Sequence, residues 1–365
     1  MRAVAIGHPE ERKWQRYTLR AFRPGDEAGL ASLFAACFEE QRTPEECHWK
    51  ILENPRREDT ATVFVALDES QIVAHVGGLP VEFKAGAETV RALIACDFAV
   101  LPERRRGLKK VGLFLALARM VEEVCRDRFA LTFGFPVPAA HRMETRYLGG
   151  KDAGGVPSLA CPLTIHGARW LWGRKGVARL PATWLAGHKG LRRGLRFRGE
   201  IVVRRVARFD PFVDELWEDV SGCLPFAVQR DSLYLNWRYA RPGRPYLLLV
   251  AEDGRRPVGY VTFRTVRFGS VSLCLIMDIM PPTGTGVSER LLCEVMLYAR
   301  ANRVDAVRCW MNEKCAFYDV LMTHGFVRTS STDRLVYKVF RRELETASIG
   351  RRENWYLTLS DSDGL

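Results

Sequence analysis

Two features of the sequence carry residues suited to chemistry. In the run Asp97-Phe-Ala-Val-Leu-Pro-Glu-Arg-Arg-Arg-Gly-Leu-Lys-Lys110, five cations (Arg104, Arg105, Arg106, Lys109 and Lys110) surround Gly107, and the apolar-striped segment 111–125 follows directly. The first amides of a helix lack intrahelical partners and the helix dipole is positive there, so a loop of this kind opening into a helix favours phosphate oxygens. Gly107 lets the backbone approach a ligand closely, and the cations suit a pyrophosphate or a 3′-phosphate. The same run also reads as a solvated basic turn ahead of a core helix. The second feature is an acid inside an apolar strand: Asp97 in ALIACDFAV and Asp278 in SLCLIMDIM. Lacking a partner, such a carboxyl has its pKa raised by burial, which suits proton transfer near neutrality. Bonded to a backbone amide or capping a loop, it is structural instead. His75 and Glu82, on neighbouring apolar runs, are weaker acid–base candidates.

The elements that position these residues occur twice. Arg20 and Arg204 each end a short apolar run and are followed six residues later by Asp26 and Asp210, plausible helix N-caps. Trp49-Lys50 and the strand-like run 63–66 have counterparts in Trp237-Arg238 and the run 247–251. Polar turns then lead to further strands, which reads as hairpins. The acid-bearing strand, a loop, a long apolar-striped helix, another strand and a Gly-centred turn complete both copies in the same order. The expected architecture is α/β of the α+β type, with two tandem domains, each a mixed, mostly antiparallel sheet flanked by helices. Their boundaries are placed at 17–160 and 200–365, the run 355–359 adding a terminal strand, with a linker at 161–199.

Length agrees, because 365 residues suffice for two cores of ordinary size. No run approaches the ~18 apolar residues of a membrane span, and the opening residues lack a signal peptide's apolar core, so a cytoplasmic location is expected. The ten cysteines show no C-x-x-C spacing and no His pair at zinc spacing, so no metal site is expected and most cysteines read as reduced and buried.

The element order, together with Asp97–Lys110 and the helix behind it, resembles the GNAT superfamily of acyl-CoA-dependent N-acyltransferases, whose signature is V-x-P-E-x-R-x-x-G-x-G/A. The resemblance covers most of both halves. It implies an acetyl-CoA or longer acyl-CoA co-substrate and direct attack of an amine on the thioester in a ternary complex. It also implies that Phe98, Ala99 and Val100 form the cofactor edge, with Arg104, Arg105, Arg106, Gly107, Leu108, Lys109 and Lys110 as the phosphate loop. Asp97 and Asp278 are then the candidate bases. The family's proton-donating Tyr position holds Thr145 in the first half and Leu321 in the second, which leaves the nearby Tyr147 as the substitute. Asn312 falls where the family commonly has an Asn touching the cofactor. The chain departs from the signature at Lys109, which replaces the last Gly/Ala, and in the second-half loop 281–286, which is shorter and uncharged. A thioester co-substrate therefore fits the first half better.

Net charge is +12, and much of it sits in residues 161–199, which hold nine Lys/Arg and no Asp or Glu beside Trp170, Trp172 and Trp184. Such a segment suits anionic lipid headgroups, an acidic acyl carrier protein or RNA, or is a linker whose tryptophans fill gaps. The leading expectation is an N-acyltransferase acting on an amine of a small molecule or peptide. The alternatives are a non-catalytic thioester-binding or scaffolding tandem and an aminoacyl-tRNA-dependent transferase of related fold.

Overall fold

Four short turns set the sheets. In the computed structural model, which describes residues 11–38, 42–105, 112–195, 201–282, 286–330 and 333–362, each apolar run folds back through two residues. The first residue of each turn, Glu69, Gly86, Gly254 or Gly269, has a φ between 56° and 67°. That left-handed backbone matches the twist of an antiparallel pair, so the runs close as hairpins.

The first half comprises β1 (Arg12–Trp14), β2 (Tyr17–Ala21), α1 (Glu27–Cys37), α2 (Pro44–Leu52), β3 (Val63–Asp68), β4 (Gln71–Ala85), β5 (Glu88–Val100), α3 (Leu113–Cys125), β6 (Leu131–Gly134), α4 (Pro138–Tyr147) and β7 (Lys151–Gly155). Next come β8 (Ser158–Pro162), α5 (Ile165–Trp172) and α6 (Leu180–Leu195). The second half comprises β9 (Ile201–Val206), α7 (Phe212–Ser221), β10 (Phe226–Val228), α8 (Ser232–Arg238), β11 (Leu247–Asp253), β12 (Arg256–Phe268), β13 (Val271–Met280), α9 (Gly286–Ala301), β14 (Ala306–Trp310), α10 (Ala316–Thr323), β15 (Val327–Arg328) and β16 (Arg334–Val339). No helix among the described residues is long and apolar enough to cross a membrane.

The strands form two sheets of matching order. One runs β1-β2-β3-β4-β5-β6-β16-β7, with β10 added beside β4; the other runs β9-β11-β12-β13-β14-β8-β15. In each, the acid-bearing strand has a parallel neighbour, β5 with β6 and β13 with β14, within otherwise antiparallel ladders.

The expected boundaries at 160/161 and 199/200 do not coincide with the sheets. β8 lies between β14 and β15 of the second sheet, and β16 lies between β6 and β7 of the first, so each half lends a strand to the other. The physical reason is visible in β8: all five residues are buried, which suits an interior strand. The exposed Lys-Asp-Ala-Gly-Gly of β7 can only be an edge. Nor is 161–199 an extended linker, since it contains α5, a 3₁₀ segment and the 16-residue α6. The tail around Trp355 is not a strand of either sheet: it makes a single bridge to Phe226 and a 3₁₀ turn at Leu359–Asp361.

The two halves meet where the repeat brings equivalent residues together. Trp49 and Trp237 stack at 5.0 Å between ring centroids, and each indole N–H donates to the other's backbone carbonyl, at 3.1 and 3.2 Å. Arg241 and Arg244 both donate to Glu46, and Arg56 pairs with Asp231. Truncating Trp49 to Ala should lower stability by about 3–5 kcal/mol in urea unfolding. In a double-mutant cycle with Trp237→Ala, the pair should show coupling of about 0.5–1.5 kcal/mol; additive losses would mean that the stack contributes nothing of its own.

Candidate active site

The parallel ladder between β5 and β6 ends at Ala95 and Gly134, and the strands part beyond it. Glycine is required at that last rung, because a Cβ on Gly134 would stand 2.7 Å from the Ala95 carbonyl oxygen. On its other side β5 carries a bulge: Cys96 faces Gly77 and Ala99 faces His75, so Asp97 and Phe98 together oppose Val76. Asp97 has a φ of 58°, and this turn of the chain re-aims the residues that follow into the gap. The result is a cleft of about 400 Å³, with Asp97, Phe98, Phe135 and Glu144 among its walls. The second half adds Arg308, Trp310 and Asp333, and the tail adds Ser362.

At the α3 end, Gly112 stands at the N-cap, and among the described residues no side-chain cap is made there. Those amides keep the capacity for an anion that the sequence led us to expect. Arg106, Gly107, Leu108, Lys109 and Lys110 lie outside the described residues. The two loop cations that are described are engaged locally: Arg104 pairs with Asp68 at 3.0 Å, and Arg105 donates to the Val100 carbonyl at 2.8 Å. Of the expected cofactor edge, Phe98 faces the cleft, whereas Ala99 is buried and Val100 is half-buried beside Arg105 and Cys37.

The candidate bases need correction. Asp97 does line the cleft, but its Oδ1 accepts from Arg42 at 2.5 Å and its Oδ2 accepts from Lys50. A carboxylate held by two buried cations has its charge compensated, so the condition for a poised base, an unpartnered acid, is not met. Asp278 is completely buried under the tail. It accepts from the Arg230 guanidinium, the Tyr260 hydroxyl and the Ile279 amide, and burial raises its pKa. That network anchors the tail through Arg230 and Asp361, and it gives Asp278 a structural role. Tyr147 stands 44% exposed at the end of α4, away from the cleft walls. His75 is buried, and burial pulls its pKa down to about 4, so it is neutral. Asn312 donates to the Arg352 and Trp355 carbonyls, tying the tail to β14.

The residue that sequence reasoning missed is Glu144. It lies on α4, one position before Thr145, and its side chain faces both the cleft and a second, apolar cavity of about 80 Å³ between α3 and α4. Burial pushes its carboxyl up to about 8, with no cation contributing to offset it. Its only sequence signal is an acid on a polar helix, which any solvated glutamate shares.

In the second half the corresponding groove is filled. α6 packs against α9, α10 and β8, the equivalents of α3, α4 and β16. Its buried face is Thr183, Gly187 and Gly190, laid against the His324-Gly325 turn. A Cβ on Gly190 would stand 2.6 Å from the His324 ring, so the helix sits in van der Waals contact.

A mixed sheet whose parallel pair parts over a cleft, with an uncapped helix N-terminus beside it, is an acetyltransferase-type sheet. Residues 18–147, about a third of the chain, match the family model of the acetyltransferase (GNAT) domain. The whole chain shares its fold with solved structures. One is a GCN5-related N-acetyltransferase from Anabaena variabilis, with a TM-score of 0.59 at 15% identity over 89% of this chain and 73% of that one. A second, from Enterococcus faecalis, is a conserved protein described as a probable N-acyltransferase, with a TM-score of 0.60 at 12% identity over 90% and 74%. A third, a GCN5-related N-acetyltransferase from Kribbella flavida, gives 0.56 at 14% identity over 90% and 72%. At such identities the likeness is one of fold. No curated protein matches the chain in sequence.

Two measurements separate the roles of the acids. Asp97→Asn strands Arg42 and Lys50 and should cost about 3–5 kcal/mol of stability in urea unfolding. A loss under 1 kcal/mol would contradict the structural role. Glu144 has the opposite linkage. From its ordinary value of 4.5 up to about 8, the folded chain holds a proton that the unfolded chain has released, so stability falls as pH rises through that window. Glu144→Gln should flatten this dependence. At pH 9 it should leave the variant more stable than the parent by on the order of 1–3 kcal/mol, at ~1.4 kcal/mol per pKa unit.

Proposed function

We propose that the chain is an N-acyltransferase that moves an acyl group from an acyl-CoA thioester to an amine in the cleft between β5 and β6, with Glu144 as the proton-transfer group. The observation that carries this reading is the position of Glu144, an acid with its pKa raised by burial where the cleft and the apolar cavity meet. The first half is the donor side, because its groove between α3 and α4 is open and α3 presents uncapped amides. In the second half α6 occupies the corresponding groove.

The amine nitrogen attacks the thioester carbonyl carbon, the C–N bond forms, and the C–S bond breaks. Ionised Glu144 takes the proton that the nitrogen must lose, and the resulting carboxylic acid returns it to the leaving thiolate, so the products are an amide and a thiol. Past Ala95 the backbone of β5 no longer pairs with β6, which supports a backbone amide there as the donor to the developing oxyanion. The acceptor side of the cleft suits an amine: Phe38, Phe135 and Trp310 contribute aromatic side chains for a cation, beside the Asp333 carboxylate, which pairs with Arg308 at 3.4 Å.

Thiol release from acetyl-CoA with a panel of amines tests the reading. kcat/KM should rise with pH to a plateau above about 8, following ionisation of Glu144. Glu144→Gln should lower kcat by about 10²–10⁴-fold and remove that inflection. If acetyl-CoA binds but no amine in the panel is acylated, and Glu144→Gln leaves binding unchanged, the chain is a thioester-binding module instead.

A further inference from the structure

We infer that the apolar cavity between α3 and α4 is an acyl-chain pocket, so that the preferred donor carries a short linear acyl chain longer than acetyl. The inference rests on the donor site proposed above.

The cavity begins where the cleft ends. Ala95, Phe98 and Glu144 line both, so a thioester carbonyl at the parting of β5 and β6 has the cavity directly behind it. It then runs away from the N-terminus of α3, between Val121 and Cys125 near the end of that helix and Leu148 after α4. Helix α3 has 13 residues at ~1.5 Å rise per residue, so the phosphate end of a donor held at Gly112 is separated from this region by most of the helix. The arm of the donor is spent in reaching the parting, and only what hangs from the carbonyl carbon extends further.

The walls suit hydrocarbon. They are Val76, Leu93, Ala118, Phe133 and Phe340, with few polar atoms, and the Thr132 hydroxyl is turned onto the Leu93 carbonyl at 3.0 Å. One wall is β16, the strand lent by the second half, whose Lys338 closes the far end. The Lys338 ammonium donates to Glu122 at 2.6 Å and to the Leu148 carbonyl at 2.5 Å. A chain reaching this point would have to displace a part-buried ion pair that also holds the Leu148 carbonyl, so the pocket has a stop as well as a bore. Size sets the length: an apolar cavity of about 150 Å³ accepts a benzene-sized ligand, and one of about 80 Å³ therefore accepts about three carbons.

Calorimetric titration of the full chain with coenzyme A, acetyl-CoA, butanoyl-CoA, hexanoyl-CoA and dodecanoyl-CoA tests the inference. Each buried methylene is worth a factor of about four, so butanoyl-CoA, whose carbons beyond the carbonyl fill the cavity, should bind about tenfold or more tightly than acetyl-CoA, hexanoyl-CoA should gain nothing further, and dodecanoyl-CoA should lose that gain. In Ala118→Leu, which places three further carbons in the cavity, the ratio of butanoyl to acetyl affinity should fall to about one. Should that variant fail to give a cooperative melt, Val121→Ile should reduce the ratio by a smaller step. Equal affinity for all acyl lengths overturns the pocket while leaving the donor site standing. So does a loss in Ala118→Leu that is the same for coenzyme A and every acyl form, which would mean that the cavity holds the donor's arm. If none of the five ligands binds, the donor site itself is wrong and the pocket falls with it.

Discussion

The first sheet is incomplete without β16, and the second is incomplete without β8. This reciprocal loan is the constraint on which the rest of the molecule depends, because the strand that receives each loan is the one whose separation from its neighbour makes a cleft. β6 pairs over the same four residues, Leu131–Gly134, with β5 on one side and with β16 on the other. Both ladders stop at Gly134, so the position of β6 at the mouth of the cleft depends on the borrowed strand as much as on β5. The site in the first half is thus propped open by residues of the second. Lys338, on the same borrowed strand, also secures the α3–α4 groove through Glu122 and Leu148.

Within this shared frame the halves have diverged by packing. Both have an acid on the corresponding strand, yet one is paired with cations contributed by α2 and the loop before it, and the other with Arg230 and the tyrosines around the tail. Both have a groove between equivalent helices. In the second half the small residues of α6 let a helix lie directly on the His324-Gly325 turn, which fills the groove. The basic segment therefore presents two faces: Thr183, Gly187 and Gly190 inward, and Trp184, Leu185 and Lys189 toward solvent. That outward half matches the surface character seen in its composition, whereas the inward half depends on spacing that composition does not reveal.

The duplicated strand order was legible because hairpin turns and alternating apolar residues are local signals. Equivalences such as Trp49 with Trp237 even landed in mutual contact. The strand loan was not legible, since neighbouring strands in sequence usually neighbour in space and nothing local marks an exception. The largely apolar β8 against the Gly-rich β7 was the one available hint. At the site, the location of Asp97 was readable but its chemistry was not, because Arg42 and Lys50 lie far from it in sequence and meet it only in the fold. Glu144 was invisible for the converse reason: its raised pKa comes from the cleft and cavity walls that surround it in space, and its own helix is polar in sequence.

The borrowed strand also has a consequence for the order of events on the ribosome. When residues 17–157 have emerged, β6 has one bare edge, and its partner is encoded close to the other end of the chain. An uncovered edge bordered by Phe133 and Ala130 is a template for the wrong strand, whether from this chain or another. The first half can therefore reach its final form only after the second is almost entirely made, and contacts so distant in sequence close slowly. Synthesis of this fold is a long wait with an open seam, and the speed of translation past β16 sets how long the seam stays exposed.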